Sequence, residues 1–294
     1  MTIDDTTVDG ATVDRLAARV AALVGEVPPT FLADLERFRA EGRAPAPART
    51  AATVLLLRPA SPGFEVYVIR RLAAMTFGGR YAFPGGGVDP SDAEGELDWS
   101  GPPPQEWGDR LGLPAREARA LVCAAVREVF EEAGVLLAGP GPDRVVGDVS
   151  GDDWEAARQA LVQRRLGFAD FLRQRGLTLR SDLLSPWSRW ITPEFEPRRF
   201  DAYFFVARLP EGQRTRDVSG EADHTMWIRP ADALTRALDR QIDMLPPTLV
   251  TLAEVATAGD LDGVVRAAAT REAARPVQPK LVTDADGAPR FVLD

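Results

Sequence analysis

The chain reads as an α/β sandwich, a mixed sheet with helices on both faces. Strand-like runs at 52–58, 64–70, 187–192 and 199–208 are interleaved with helical ones, and interleaving of that kind buries a sheet between helices. A helix expected over 115–134 carries an apolar stripe (Leu121, Val122, Ala125, Val126, Val129, Phe130, Ala133) that needs a partner surface. With 294 residues, 45% of them hydrophobic, there is material for one large or two modest domains with a sizeable core.

The elements follow in order. Residues 1–10 are polar and expected to be mobile. Residues 11–25, with Leu16, Val20, Leu23 and Val24 on one face, and 29–41, with Phe31, Leu32, Leu35 and Phe38, form two amphipathic helices divided at Pro28-Pro29. Residues 1–45 are thus a helical extension, and Pro45 and Pro47 lead into a domain over 46–260. Ser61-Pro62-Gly63 turns the first strand into the second as a hairpin. Pro114 or Ala115 opens the long helix, and 144–149 reads as a short strand.

Residues 153–175 keep a mostly helical period through Trp154, Ala157, Leu161, Leu166, Phe168, Phe171 and Leu172. This helical insert serves as a cap on the substrate side, as the contact of a homodimer, or as plain packing on the flank. A short strand at 225–228 and helices at 230–238 and 246–258 complete the domain. Residues 261–294 are a C-terminal tail, extended from Arg275.

Composition excludes several functions. A net charge of −9 argues against a nucleic-acid partner, since affinity for that backbone comes from clustered Lys and Arg. The single cysteine, Cys123, excludes an internal disulfide and reads as a small buried hydrophobe. The single histidine, His224, leaves no material for a structural zinc site or a Ser-His-Asp triad. No run is apolar enough to span a bilayer. The acidic N-terminus does not resemble a leader and Phe291-Val292-Leu293-Asp294 is not a peroxisomal signal, so the cytoplasm is the expected compartment.

The most informative stretch is Arg127-Glu128-Val129-Phe130-Glu131-Glu132-Ala133-Gly134-Val135. Three carboxylates fall within five positions of one helix, where like charges at i, i+3 and i, i+4 cost a few tenths of a kcal/mol each. A divalent cation explains the pattern, because hard oxygen ligands suit magnesium or manganese and the ion removes the repulsion.

The order of these residues resembles the second half of the Nudix box, and Phe83-Pro84-Gly85-Gly86-Gly87-Val88-Asp89-Pro90 resembles its first half. Asp92 stands where the family has Glu. Between Asp92 and Arg127 lie 34 residues, 93–126, where the uninterrupted box has seven, an excess of 27. The interruption, assigned to 93–118, is rich in turn formers (Gly101-Pro102-Pro103-Pro104, Gly108, Gly112, Pro114) and is expected to stay solvent-facing from Trp99 to Asp109. An interrupted box of this kind is similar to the coenzyme A diphosphatase branch of the superfamily. The resemblance extends through Phe77-Gly78-Gly79, Trp190-Ile191-Thr192-Pro193 and Arg198 to Phe205, roughly residues 50–255.

This resemblance implies a Nudix-type α/β/α sandwich and metal-dependent hydrolysis of a nucleoside diphosphate derivative. Coenzyme A or acyl-coenzyme A leads, with ADP-ribose, NADH or a non-catalytic nucleotide sensor as alternatives. It implies Mg2+ or Mn2+ held by Glu128, Glu132, Glu131 and the main-chain carbonyl of Gly86. Arg127 is expected to hold a box glutamate in its rotamer. Glu131 is the leading general base, ahead of Glu194, Glu196, Glu221 and Asp223. Phosphate contacts are expected from Arg70, Arg71, Arg80 and Arg199, and Trp187, Trp190 or Phe195 could stack on adenine.

Overall fold

Residues Val54 to Leu57 are all apolar, and successive side chains of a strand point to opposite faces, so this strand has to lie between two packed layers. The computed structural model, which describes residues 10–27, 29–218, 220–283 and 289–293, places it there. The polar stretch at 1–9, Pro28 of the helix break and the terminal Asp294 lie outside the described residues.

Helices α1 (Gly10–Gly25) and α2 (Pro29–Glu41) come first. Strands β1 (Ala48–Pro59), β2 (Phe64–Arg71), β3 (Tyr81–Ala82), β4 (Gly85–Gly87) and β5 (Asp98–Ser100) follow. Next are α3 (Pro104–Leu111), α4 (Ala115–Ala133), β6 (Ala138–Gly139), α5 (Asp152–Val162), α6 (Phe168–Gln174) and β7 (Thr178–Arg180). The chain continues through β8 (Leu184–Ile191), β9 (Arg199–Arg208), β10 (Ala222–Ile228), α7 (Pro230–Leu238), α8 (Pro246–Ala256) and α9 (Leu261–Ala268). It closes with β11 (Pro276–Val277), β12 (Lys280–Thr283) and β13 (Pro289–Val292).

The main sheet is mixed, in the order β10-β2-β1-β9-β8-β11, with β3 on β2 and β4 on β1. Strand β1 runs parallel to β9 and antiparallel to β2, which returns through the expected Ser61-Pro62-Gly63 turn. On one face Val54, Leu56, Tyr67, Ile69, Tyr203 and Phe205 pack with the stripe of α4. On the other, Leu55, Leu57, Val66, Val68, Phe204 and Val206 pack with α1, α7, α8 and α9. The N-terminal helix therefore belongs to the second layer, with Val13, Leu16, Val20 and Val24 buried. Smaller sheets, β5-β7-β6 and β12-β13, lie outside the main one. Among the described residues no helix is long and apolar enough to cross a membrane.

The sheet also positions the glycine turn. Strand β4 pairs antiparallel with β1, Ala52 opposite Gly86 and Thr53 opposite Gly85, directly beneath α4. Residues far apart in sequence thereby meet at one point.

The interruption departs from its expected solvent-facing course. Its middle folds into α3 and packs on α4, with Trp107 fully buried and edge-on to Phe205 at a ring separation of 6.0 Å. Proline in the first turn of a helix opens it rather than breaking it, and Trp107 and Leu111, four apart, share the buried face. The strand expected at 144–149 is absent there; the pairing in this region is made by β6 against β7. The expected continuous helix at 153–175 is two, because Arg164 takes a left-handed φ of 56° and α6 restarts after Gly167. Helix α9, inside the expected tail, starts at an Asp260 cap whose carboxylate accepts from the Gly263 N–H at 2.6 Å.

Trp107 gives a direct test of this packing. Trp107→Ala should lower the unfolding free energy by about 3–5 kcal/mol in urea denaturation. Trp107→Phe should lower it far less, because the indole N–H has no hydrogen-bond partner to lose. A loss below about 1 kcal/mol for Trp107→Ala, the range of an exposed site, would contradict the burial.

Candidate active site

Arg127 is the junction of the site. From the middle of α4 its Nε and Nη2 fork onto Asp92 at 2.8 and 2.9 Å, and Nη2 also donates to the Gly87 carbonyl at 3.0 Å. Its Nη1 donates to Glu128 at 2.7 Å and to Glu131 at 3.3 Å. Burial works against the guanidinium charge, yet the bond to Asp92 and the surrounding carboxylates hold its pKa above the usual value. Asp92 is buried on a 3₁₀ turn, Pro90–Ala93, where it also accepts from the Asp89 N–H at 2.8 Å. The shorter side chain thus occupies the place expected of the first-half carboxylate and reaches Arg127 with both oxygens.

Around this junction the three glutamates differ. Glu132 is buried and accepts from the Gly85 N–H at 2.7 Å. Burial, reinforced by the charge of Glu128, drives its pKa well above the carboxylate range. Glu128 is raised to about 7 by burial, against the pull of Arg127. Glu131 is raised by burial too, and its Oε1 has no partner among the described residues. Gly86 lies against this group so closely that a Cβ would sit 2.6–2.7 Å from the Glu128 carboxylate. A side chain at this position would push the Glu128 carboxylate away from the turn.

A cation fits these donors. Glu128 and Glu132 are both buried, and the charge of Glu128 raises the pKa of Glu132, so negative charge here is only partly relieved by Arg127. A glycine main chain lies against them without a side chain between. Among the described residues no three His, Cys, Asp or Glu side chains form a ready cluster for a metal. A divalent cation that keeps several waters and shares the phosphates of its substrate needs no more than one or two of these carboxylates as direct ligands.

The far end of α4 is held from outside. Gly134 takes φ 66°, ending the helix in the left-handed conformation as its position suggested. The buried Arg158 of α5 donates to the Glu131 carbonyl at 2.6 Å, and the Arg216 N–H to the Ala133 carbonyl at 2.9 Å. Glu155 accepts from both arginine side chains, at 2.6 and 2.9 Å from Arg158 and 3.2 Å from Arg216. Cations at a helix C-terminus oppose its dipole. Sequence reasoning missed this pair; the only local hint was the i, i+3 spacing of Glu155 and Arg158.

The carboxylates open into a cavity of about 860 Å3. Gly86, Arg127, Glu128, Glu131 and Glu132 line it, and so do Arg71 and Arg80. Arg70 and Arg199 do not. Arg70 is paired with Asp223 at 2.6 Å, and Arg199 donates to the carbonyls of Thr192 and Ala46, tying down the start of β9. Of the loop carboxylates, Glu196 and Glu221 reach the cavity while Glu194 and Asp223 lie outside its lining. Trp190 lines it, but Trp187 is core, its indole bonded to Glu254 at 2.7 Å. Arg164, on the link between α5 and α6, lines it unforeseen and pairs with Asp89. Cys123 is buried on α4 with its thiol pushed up to about 12 by burial, as inert as its position suggested.

Comparison with known proteins follows this geometry. A family model described as the NUDT19 Nudix domain matches residues 105–255. The acyl-coenzyme A diphosphatase NUDT19 of Gallus gallus is 27% identical over 290 residues, covering 81% of this chain and 76% of that protein. The acyl-coenzyme A diphosphatase NUDT19 of Homo sapiens is 27% identical over 243 residues, covering 69% of this chain and 63% of that protein. Among solved structures, a NUDIX hydrolase from Alicyclobacillus acidocaldarius is 28% identical with a TM-score of 0.60, covering 76% of this chain and 97% of that one.

The raised carboxylates predict how the metal-free protein responds to pH. Glu128 titrates near 7 when folded against a usual 4.5, and Glu132 is shifted the same way, so the folded state holds more protons between these values. Its stability therefore falls as pH rises through that window. In a chelator, the melting temperature should drop by several degrees from pH 5 to pH 8, and Glu132→Gln should flatten the decline. An unchanged slope in that variant would show that the pair does not govern it.

Proposed function

This chain belongs to the Nudix hydrolase family, and on that premise we propose that it hydrolyses the diphosphate of coenzyme A or an acyl-coenzyme A. The products are 3′,5′-ADP and 4′-phosphopantetheine or its acyl derivative. One observation carries the catalytic reading: Glu128 and Glu132 meet the Gly85-Gly86 turn, with Glu131 lining the same cavity, although the sequence between turn and helix is interrupted. The named activity of the two vertebrate relatives supports the coenzyme A class.

On this reading Glu128, Glu132 and Glu131, with the main-chain oxygen of Gly86, would hold a magnesium or manganese ion. Such an ion, when bound, supplies a Lewis acid that lowers the pKa of water and neutralises charge developing on the phosphate oxygens. Arg127 positions the carboxylates, since its bonds to Asp92 and Gly87 fix the guanidinium that bonds Glu128 and Glu131. Glu131 is the proton acceptor: one oxygen is unpartnered and burial raises its pKa, both of which suit a base that takes a proton from water. Arg71 and Arg80 face the phosphates. Arg80 exchanges its Asp243 partner, now at 3.0 Å, for the substrate.

Incubation with coenzyme A, ADP-ribose and NADH, each with magnesium or manganese, ranks the substrates. Coenzyme A left intact while ADP-ribose is consumed would overturn the substrate assignment. Tight nucleotide binding without metal and without turnover of any diphosphate would favour a sensor instead.

The ligand assignment is tested by Glu128→Gln and Glu132→Gln. Each should lower kcat on the order of 10²–10³-fold at saturating metal, with the urea midpoint preserved or raised, because volume is kept and only charge is lost. Near-wild-type turnover in either variant would remove that residue from the set.

A further inference from the structure

The cavity extends from the carboxylates to a wall that the chain's two ends build. Leu23 and Val24 from α1, Phe31 from α2 and Phe291 from β13 line it there, all outside the stretch 105–255 matched by the family model. Phe31 meets Phe195 edge-on at 5.5 Å and Phe291 edge-on at 5.8 Å, so three segments remote in sequence close on one aromatic cluster. The main chain of Glu26 bridges to Arg290, seating the end of α1 against the hairpin β12-β13.

We propose that this lobe receives the acyl chain of an acyl-coenzyme A, and that Leu23, Phe31 and Phe291 set the chain length accepted. The inference rests on the coenzyme A reading above and adds which arm of the substrate goes where. Charge decides between the two arms. Two acidic residues of the lining adjoin this wall: Glu26 after α1, and Glu196 beside Phe195, which also feels the charge of Asp34. The arginines of the lining that are not locked among the box carboxylates, Arg71, Arg80 and Arg164, come from other segments. A 3′-phosphoadenosine carries a dianion that Glu26 and Glu196 repel and those arginines attract. An alkyl chain on a thioester has no charge, and burying it against Leu23, Phe31 and Phe291 is favourable. The volume, about 860 Å3, lies in the upper part of the range for small-molecule sites, about 300–1,000 Å3, and suits a substrate with two arms.

The test is hydrolysis by the full chain of coenzyme A and its butyryl, octanoyl and lauroyl thioesters, read as release of 3′,5′-ADP. In the wild type, kcat/KM should rise by up to about three- to fourfold per methylene until the lobe is filled. Phe31→Ala and Phe291→Ala should each lower the lauroyl-to-free coenzyme A ratio of kcat/KM at least tenfold, and Leu23→Trp should move the optimum to a shorter chain. Calorimetry without metal should show lauroyl-4′-phosphopantetheine binding the wild type more tightly than 4′-phosphopantetheine, with the difference reduced in Phe31→Ala. A flat chain-length series, or variants that slow both substrates equally, would overturn the acyl assignment while leaving coenzyme A hydrolysis standing. If neither coenzyme A nor any thioester is cleaved, the functional reading fails and the acyl assignment falls with it. Should a variant not fold, the wild-type series and the calorimetry decide alone.

Discussion

A single buried guanidinium holds this site together. Arg127 spends its donors on Asp92 and Gly87 on one side and on Glu128 and Glu131 on the other. The first pair belongs to the glycine turn and the 3₁₀ turn after it, the second to α4. Without that bridge, Glu128 and Glu131 would crowd one helix face beside Glu132, which the Gly85 N–H holds separately. Breaking a buried pair of this kind costs roughly 3–5 kcal/mol, because it strands the remaining charges away from water. The arrangement also explains how Asp92 serves where a longer carboxylate is the family rule. The turn capped by Asp89 carries it close enough for both oxygens to reach the arginine.

The same bridge accommodates the interruption. A glycine turn and a helix need be neighbours only in space, and pairing of β4 with β1 fixes the turn beneath α4 whatever the chain does between them. The excess residues use this freedom to add α3 and β5, whose Trp107 and Trp99 enlarge the core under α4 rather than covering the cavity. A loop that long costs little more entropy to close than a short one, and its burial more than offsets the difference.

Electrostatics in this acidic chain are managed locally. The carboxylates are crowded at one end of the cavity, and Arg158 and Arg216 hold the carbonyl end of α4 from beneath. Their shared partner Glu155 keeps two cations together in a confined space. The helical insert therefore contributes at least one buried anchor to α4, and its α5–α6 link brings Arg164 to the cavity lining. Flank packing alone does not describe it.

Local chemistry determined a good part of this protein. The stripe of α4, the run from Arg127 to Val135, the turn at Ser61-Pro62-Gly63 and the bounds of β9 and α7 were all legible, because each depends on residues within a turn or two of one another. The layer architecture followed from strand-like runs interleaved with helical ones. What the sequence could not supply was the fate of side chains whose partners lie far along the chain. Arg70, Arg71, Arg80 and Arg199 look alike as sequence. Only the fold gave Arg70 to Asp223 and Arg199 to two carbonyls while turning Arg71 and Arg80 to the cavity. Trp107 reads as part of a proline-rich surface loop until Phe205 is placed beside it. Arg158 and Arg216 are ordinary surface arginines until the end of α4 meets them. Such roles are set by contacts between segments, and a linear sequence carries no record of which segments touch.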